Sequence, residues 1–199
     1  MNLNILTSLK KRRSQYDLSN QSTLSEAELK TLIEESLLHT PSAYNSQSGR
    51  LVLLLKDKHN KLWDIVLAAL KPMVPLKSFP RTEAKIAAFR RAHGTILFFE
   101  EEAIVKKLQE EFPLYKDNFA LWSTQSAGML NLVVWTALSE AGMGASLQHY
   151  NPLIDEEVKK AFGLPPSWHL IAQMPFGVSL RAPDEKEFDH IQDRYLILK

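Results

Sequence analysis

The sequence predicts an α+β fold, with helices packed around a small sheet. Three observations carry that expectation. Apolar residues recur at helical spacing over several long stretches, and short continuous apolar runs of strand length stand apart from one another. Strands and helices also fail to alternate regularly, which argues against a doubly wound fold. The chain of 199 residues is 45% hydrophobic and 24% charged, enough to bury a core without cross-links. No repeat, low-complexity tract or linker divides it, so residues 1–199 read as one domain.

Residues 3–12 suit a short helix with Leu3, Leu6 and Leu9 on one face. Ser25-Glu26-Ala27-Glu28 is a capping-box pattern opening a helix through His39, with Leu29, Ile33 and Leu37 in register and Pro41 as the stop. Leu51 to Leu55 reads as a strand buried on both faces. Asn60 to Leu70 reads as helix, residues 71–80 are broken by prolines, and Thr82 to Ala92 is helical again. Gly94 introduces Thr95 to Phe99, a second buried strand. Glu101 to Glu111 is an amphipathic helix. Leu114 to Ala141 is a long helical spine, stopped by Gly142-Met143-Gly144. Asp155 to Phe162 is a short helix closed by Gly163. Trp168 to Met174 is a third strand, and Tyr195 to Leu198 a fourth.

Bulk properties narrow the function. A net charge of +1 steers the chain to neither nucleic acid nor anionic membrane. Absence of cysteine excludes disulfides and thiolate chemistry and fits a reducing compartment. The basic cluster near the start follows a short, interrupted apolar stretch, unlike a secretory signal. No run approaches the roughly 20 apolar residues of a membrane helix. A cytoplasmic location is expected.

Four constellations can carry chemistry. Arg12-Arg13-Ser14 offers two guanidiniums and a hydroxyl, a set suited to phosphate; a solvated basic run at a helix end has the same composition. Pro41-Ser42-Ala43-Tyr44-Asn45-Ser46-Gln47-Ser48 is dense in short polar side chains. In extended backbone, the Asn45 and Gln47 amides point the same way and suit a heterocycle with alternating donors and acceptors, such as a flavin's pyrimidine edge; an ordinary polar loop is the plainer reading. Gly142 to Pro152 lets backbone approach a ligand closely. Its G-x-G ends a helix, unlike a dinucleotide fingerprint. His149 within it is open to structural, acid or ligand roles. Last come Pro175-Phe176-Gly177, Arg181 and Lys186, where either cation can complete a phosphate site. The six histidines show no zinc-ligand spacing, and neither a P-loop nor a nucleophile elbow occurs. No side-chain catalytic residue is expected.

In this order the four constellations resemble the FMN-dependent nitroreductase family over nearly the whole chain. Arg12-Arg13-Ser14 looks like its R-R-S, and Pro41 to Gln47 like its P-S-x-x-N-x-Q. Gly142 to Tyr150 looks like its glycine-rich segment, and Pro175-Phe176-Gly177 with Lys186 like its terminal motif. Leu147-Gln148-His149-Tyr150 and Glu185-Lys186-Glu187-Phe188 resemble the short branch that includes fungal nitroreductase-like proteins and bacterial relatives. The resemblance implies a small mixed sheet with a C-terminal strand, residues 195–198, exchanged in a homodimer. It implies that Arg12 and Ser14 bind the FMN phosphate with Lys186, and that Arg13 reaches phosphate or ring. Asn45 and Gln47 meet the ribityl and pyrimidine side, and Pro41, Ser42 and Ala43 cover flavin held mainly by the partner. The backbone from Leu147 through Gln148, His149 and Tyr150 faces flavin N5, where hydride arrives. Hydride from NADH or NADPH would pass to nitroaromatic or quinone acceptors by a ping-pong mechanism; a flavin-binding or redox-sensing protein with little turnover is the alternative. Two departures stand out: His149-Tyr150 replaces the usual Gly-Gly or Glu-Gly, and Glu187 replaces a second basic residue after Lys186. Arg181 or Arg194 is then the alternative phosphate partner.

Overall fold

Residues 4–199 are described by a computed structural model. The first helix, α1 (Asn4–Lys11), buries no residue fully; Leu3 lies outside the described residues. The capping box forms as expected: Ser25 Oγ accepts from the Glu28 amide, and the Glu28 carboxylate accepts from the Ser25 amide at 2.8 Å. It opens α2 (Glu26–His39), which ends at an extended Thr40 before Pro41, as the clash between a proline ring and a preceding helical residue requires.

Four strands follow, β1 (Gly49–Leu55), β2 (Gly94–Glu101), β3 (Gly144–Ala145) and β4 (Trp168–Gly177). They form one sheet in the order β1-β2-β4-β3, and every strand pair is antiparallel. The parallel element of the expected mixed sheet is a single bridge, Ser14 to Ala145. The remaining helices are α3 (Lys56–Leu70), α4 (Phe79–Arg90), α5 (Glu102–Glu111), α6 (Lys116–Glu140) and α7 (Asp155–Phe162).

Side-chain alternation along β2 explains the layering. Ile96 and Phe98 point to one face, where they pack with Ala172 and Met174 of β4, Leu29 of α2, and Leu130, Val134 and Leu138 of α6. Leu97 and Phe99 point to the other, against Leu62, Trp63 and Val66 of α3, Ile86 and Phe89 of α4, and Val158 of α7. A strand with helices on both sides must be apolar throughout. Burying each of these large side chains contributes about 1.5–3 kcal/mol.

Within the apolar part of β2 the polar residue is Thr95, which is fully buried. Its hydroxyl accepts from Trp63 Nε1 at 3.1 Å and lies 2.9 Å from His59 Nδ1. His59 Nε2 faces the Arg90 carbonyl at 3.1 Å, an acceptor, so Nε2 carries the proton and Thr95 donates to Nδ1. Burial pushes the His59 imidazole down to about 4, so it is neutral at physiological pH.

The structure departs from the sequence reading in three places. β1 alternates between the two layers, but only Leu54 is fully buried along it. It is an edge strand, and its outer side meets no other described strand. Residues 195–198 form no strand within their own chain and are exposed; the fourth strand is instead the short β3. Finally, α3 starts at Lys56 directly after β1, through a left-handed Lys56 (φ +52°), so no loop separates strand from helix.

Candidate functional site

The end of α1 feeds Arg12-Arg13-Ser14 across the Trp135 face of α6. The Arg12 guanidinium lies 4.3 Å from the Trp135 ring centroid, a cation–π contact. Trp135 Nε1 donates to the Ala145 carbonyl at 3.2 Å, and that carbonyl also accepts from the Gln15 amide at 2.9 Å. The R-R-S segment, α6 and β3 are thereby tied together. Further along, Ser19 and Gln21 exchange backbone bonds with Val178. Gly177 is required there, because a Cβ would strike the Ser19 carbonyl. This clamp joins the Pro-Phe-Gly motif to the segment that carries the arginines.

Two unneutralised cations sit at this junction. Arg12 has no carboxylate partner among the described residues, and its buried Nε makes no hydrogen bond. Burial, then repulsion from Arg13, lowers its pKa. Arg13 donates to the Asp184 carbonyl at 2.6 Å. Ser14 lines a small depression with Arg181 and Asp184, whose side chains pair at 3.2 Å. An orphaned buried guanidinium nitrogen beside a second cation and a hydroxyl fits a phosphate dianion. Lys186 is exposed, with Nζ 5.1 Å from the Phe188 ring centroid.

The polar loop is not extended. Ala43 to Asn45 form a 3-10 turn, and Tyr44, Asn45 and Gln47 have φ of +56°, +50° and +48°. The expectation that Asn45 and Gln47 point alike because the backbone is extended therefore fails. The turn is locked by its own short side chains: Ser42 Oγ accepts from the Gln47 amide at 2.9 Å, and Ser126 Oγ on α6 accepts from the Ala43 amide at 3.3 Å. Arg50 donates to the Gln47 and Gly49 carbonyls at 2.8 and 2.9 Å. Three non-glycine residues held left-handed within four positions store strain of the kind found at binding sites. Asn45 and Gln47 are exposed, as is Pro41, while Ser42 and Ala43 are half-buried.

In the glycine-rich segment, Gln148 and Gln173 exchange both backbone bonds, at 2.7 and 2.9 Å. Gln173 Oε1 takes the Tyr150 amide at 2.8 Å. Gln148 Nε2 donates to Ser146 Oγ at 3.1 Å. The Tyr150 ring turns inward, edge-on to Trp63 at 6.0 Å, and burial pushes its phenol up to about 12. Leu147 packs beside the α2–α6 core layer. Of the amides at 148–150, those of Gln148 and Tyr150 are committed to Gln173. The exposed His149 makes no hydrogen bond with a described residue.

A buried carboxyl stands behind the polar loop. Glu100, paired with Gly49 across the sheet, is 4% exposed and neither oxygen makes a hydrogen bond. It borders a cavity of about 220 Å³ shared with Pro41, Ser42 and Gln47. Burial raises its pKa, against the opposing pull of Ser48, Arg50 and His169. A folded-state pKa above the unfolded value means this group's stabilisation is complete below about pH 4.3 and is lost as pH rises through the folded pKa. Urea midpoints of wild type and Glu100→Gln are therefore expected to diverge as pH rises above about 4.3, with the variant gaining relative to wild type. A constant difference over that rise contradicts this assignment.

Comparison with known proteins decides the family. The Nitroreductase family model matches residues 9–178. The chain belongs to the nitroreductase family. It is 32% identical over 187 residues to the nitroreductase FRM2 of Saccharomyces cerevisiae, covering 93% of each chain. Its structure resembles nitroreductase CinD from Lactococcus lactis in complex with nicotinic acid, with TM-score 0.91, 45% identity, and coverage of 98% of this chain and 100% of that one. A nitroreductase with bound FMN from Desulfitobacterium hafniense shares the fold at TM-score 0.74 and 18% identity, covering 100% of both chains. Family membership places the chain among oxidoreductases.

In this member of the family, Arg12, Arg13 and Ser14 gather with the Ala145 backbone and the start of the tail. Pro41 to Gln47 attach elsewhere. Ser126, which anchors the loop, and Trp135, which carries Arg12, stand roughly 13 Å apart along α6 at 1.5 Å per residue. Sequence reasoning gave no site role to Trp135, Arg50, Gln173 or Glu100; it reads Trp135 as core or interface and Glu100 as part of an acidic helix start. The first three act through contacts with residues distant in sequence, which no local spacing announces. For Glu100 a signal existed, since its place in a continuously apolar strand implies burial.

Proposed function

We propose that the chain is an FMN-dependent oxidoreductase that moves hydride from NADH or NADPH to nitroaromatic or quinone acceptors, in alternating half-reactions. Residues 1–199 form one FMN-binding domain, working as a cytoplasmic homodimer. The observation that carries this reading is the orphaned Arg12 guanidinium beside Arg13 and Ser14, at the junction with β3. FMN, when bound, supplies the centre that takes and gives hydride. Arg12 and Ser14 hold its phosphate. Arg181, which shares the Ser14 depression, is better placed than Lys186 or Arg194 to complete that set. The His149 amide is the free donor at the ring, because Gln173 occupies its neighbours. Asn45 and Gln47 present their amides from the locked turn, and Pro41, Ser42 and Ala43 cover the partner's flavin.

The relatives support this class. The CinD nitroreductase has been crystallised with chloramphenicol and with 4-nitrophenol. The separation of the two anchors along α6 suits one subunit contributing to two flavins. A dimer also accounts for exposed apolar residues on three helices: Ile5 and Leu6 on α1, Leu38 on α2, and Leu121, Met129, Leu132 and Val133 on α6. The tail residues Tyr195, Leu196, Ile197 and Leu198 are equally exposed, and the open β1 edge needs cover; the exchanged strand satisfies both.

Anaerobic titration tests the reading. NADH or NADPH is expected to bleach the bound flavin stoichiometrically, and a quinone added afterwards to restore the colour. Bleaching without reoxidation by either acceptor class assigns a sensing role instead.

A further inference from the structure

Beside the polar loop lies a second hollow, of about 440 Å³, walled by Pro41 to Tyr44 and by Trp122, Gln125 and Met129 of α6. Its floor is aromatic. Tyr44 and Trp122 stand with their rings 17° from parallel and 6.0 Å apart. Phe112 at 4.9 Å and Phe119 at 5.3 Å hold the Tyr44 ring from behind. Despite these contacts Tyr44 remains 50% exposed. Its backbone is left-handed, a conformation that disfavours a bulky side chain. A strained backbone thus presents a large ring to solvent on a rigid aromatic bed.

We infer that the Tyr44–Trp122 face is the acceptor-recognition surface, selecting flat, electron-poor rings such as nitroarenes and quinones. This inference rests on the function proposed above and adds the residues that choose the acceptor. Electron-rich phenol and indole faces attract electron-poor π systems in offset stacking. The Met129 thioether is a soft contact at a ring edge, and Gln125 offers an amide N–H to a nitro or quinone oxygen. None of these four residues contacts the Arg12–Ser14 cluster, so acceptor choice separates from cofactor retention. Pro41 to Ala43 belong to both, which brings the face beside the flavin that this loop covers.

The test measures equilibrium binding of 1,4-naphthoquinone and nitrobenzene to the full-length protein, by dialysis without any electron donor. Tyr44→Leu and Trp122→Leu are each expected to weaken binding about tenfold with flavin content retained, and Tyr44→Phe to preserve it. In turnover, the same leucine variants should raise KM for these acceptors more than they lower kcat. Unchanged affinity in both leucine variants, or no binding to wild type, overturns the inference. The dialysis readout needs no turnover, so it fails independently of the proposed activity, which is judged by flavin content and donor oxidation.

Discussion

Arg12→Ala is expected to strip the protein of FMN while leaving it folded. Its guanidinium makes no ion pair among the described residues, is desolvated, and is repelled by Arg13. Its main stabilising side-chain contact within the chain is the Trp135 ring, worth about 1–2 kcal/mol at a partly desolvated site. The unliganded variant should therefore melt close to wild type. The phosphate, by contrast, loses a charge-assisted bond of about 3 kcal/mol, or roughly two orders of magnitude in affinity. Arg12→Lys should recover part of that loss, since an ammonium supplies charge without the bidentate fork. Riboflavin, which lacks the phosphate, is the control: isothermal titration should show its affinity nearly unchanged by Arg12→Ala. Equal losses for FMN and riboflavin would place Arg12 elsewhere on the ligand.

Trp63→Ala is expected to be the most destabilising single change, by about 3–5 kcal/mol in urea unfolding. Trp63 is fully buried, 4.9 Å from the Phe89 ring, and donates to Thr95. Its loss opens a large cavity in the layer under β2 and removes one of the two partners of the buried Thr95 hydroxyl. The Tyr150 ring leans edge-on against it, so the damage extends to the backbone at 148–150. Trp63→Phe should cost less than half as much, because it keeps most of the aromatic volume and loses the hydrogen bond and one small ring. A cost below 1 kcal/mol for Trp63→Ala contradicts the packing described.

The two predictions differ in how far sequence alone leads to them. The role proposed for Arg12 rests on Arg12-Arg13-Ser14 and its order among the other motifs; the structure adds that Arg12 has no carboxylate partner among the described residues and a buried Nε without a hydrogen bond. Most of the fold was legible for similar local reasons. The capping box at Ser25, the glycine stop at Gly163 and the two-faced apolar run from Thr95 to Phe99 each encode their structure within a few residues. What stayed hidden depends on tertiary contacts. β3 is two residues long and exists because β4 lies beside it. The Lys56 corner has no glycine to mark it. The left-handed turn at Tyr44 to Gln47 is held by Ser126 and Arg50, so the extended geometry expected of Asn45 and Gln47 had no local signal against it. Gln173 sits in the middle of β4, where strand periodicity conceals that its side chain takes the Tyr150 amide.

The central claim is that this chain holds FMN. Its most direct test is the visible absorbance spectrum of the purified protein after incubation with FMN and exhaustive desalting. One bound flavin per chain, with the two visible bands of oxidised flavin retained, is the predicted result. A colourless protein that keeps no FMN contradicts the account.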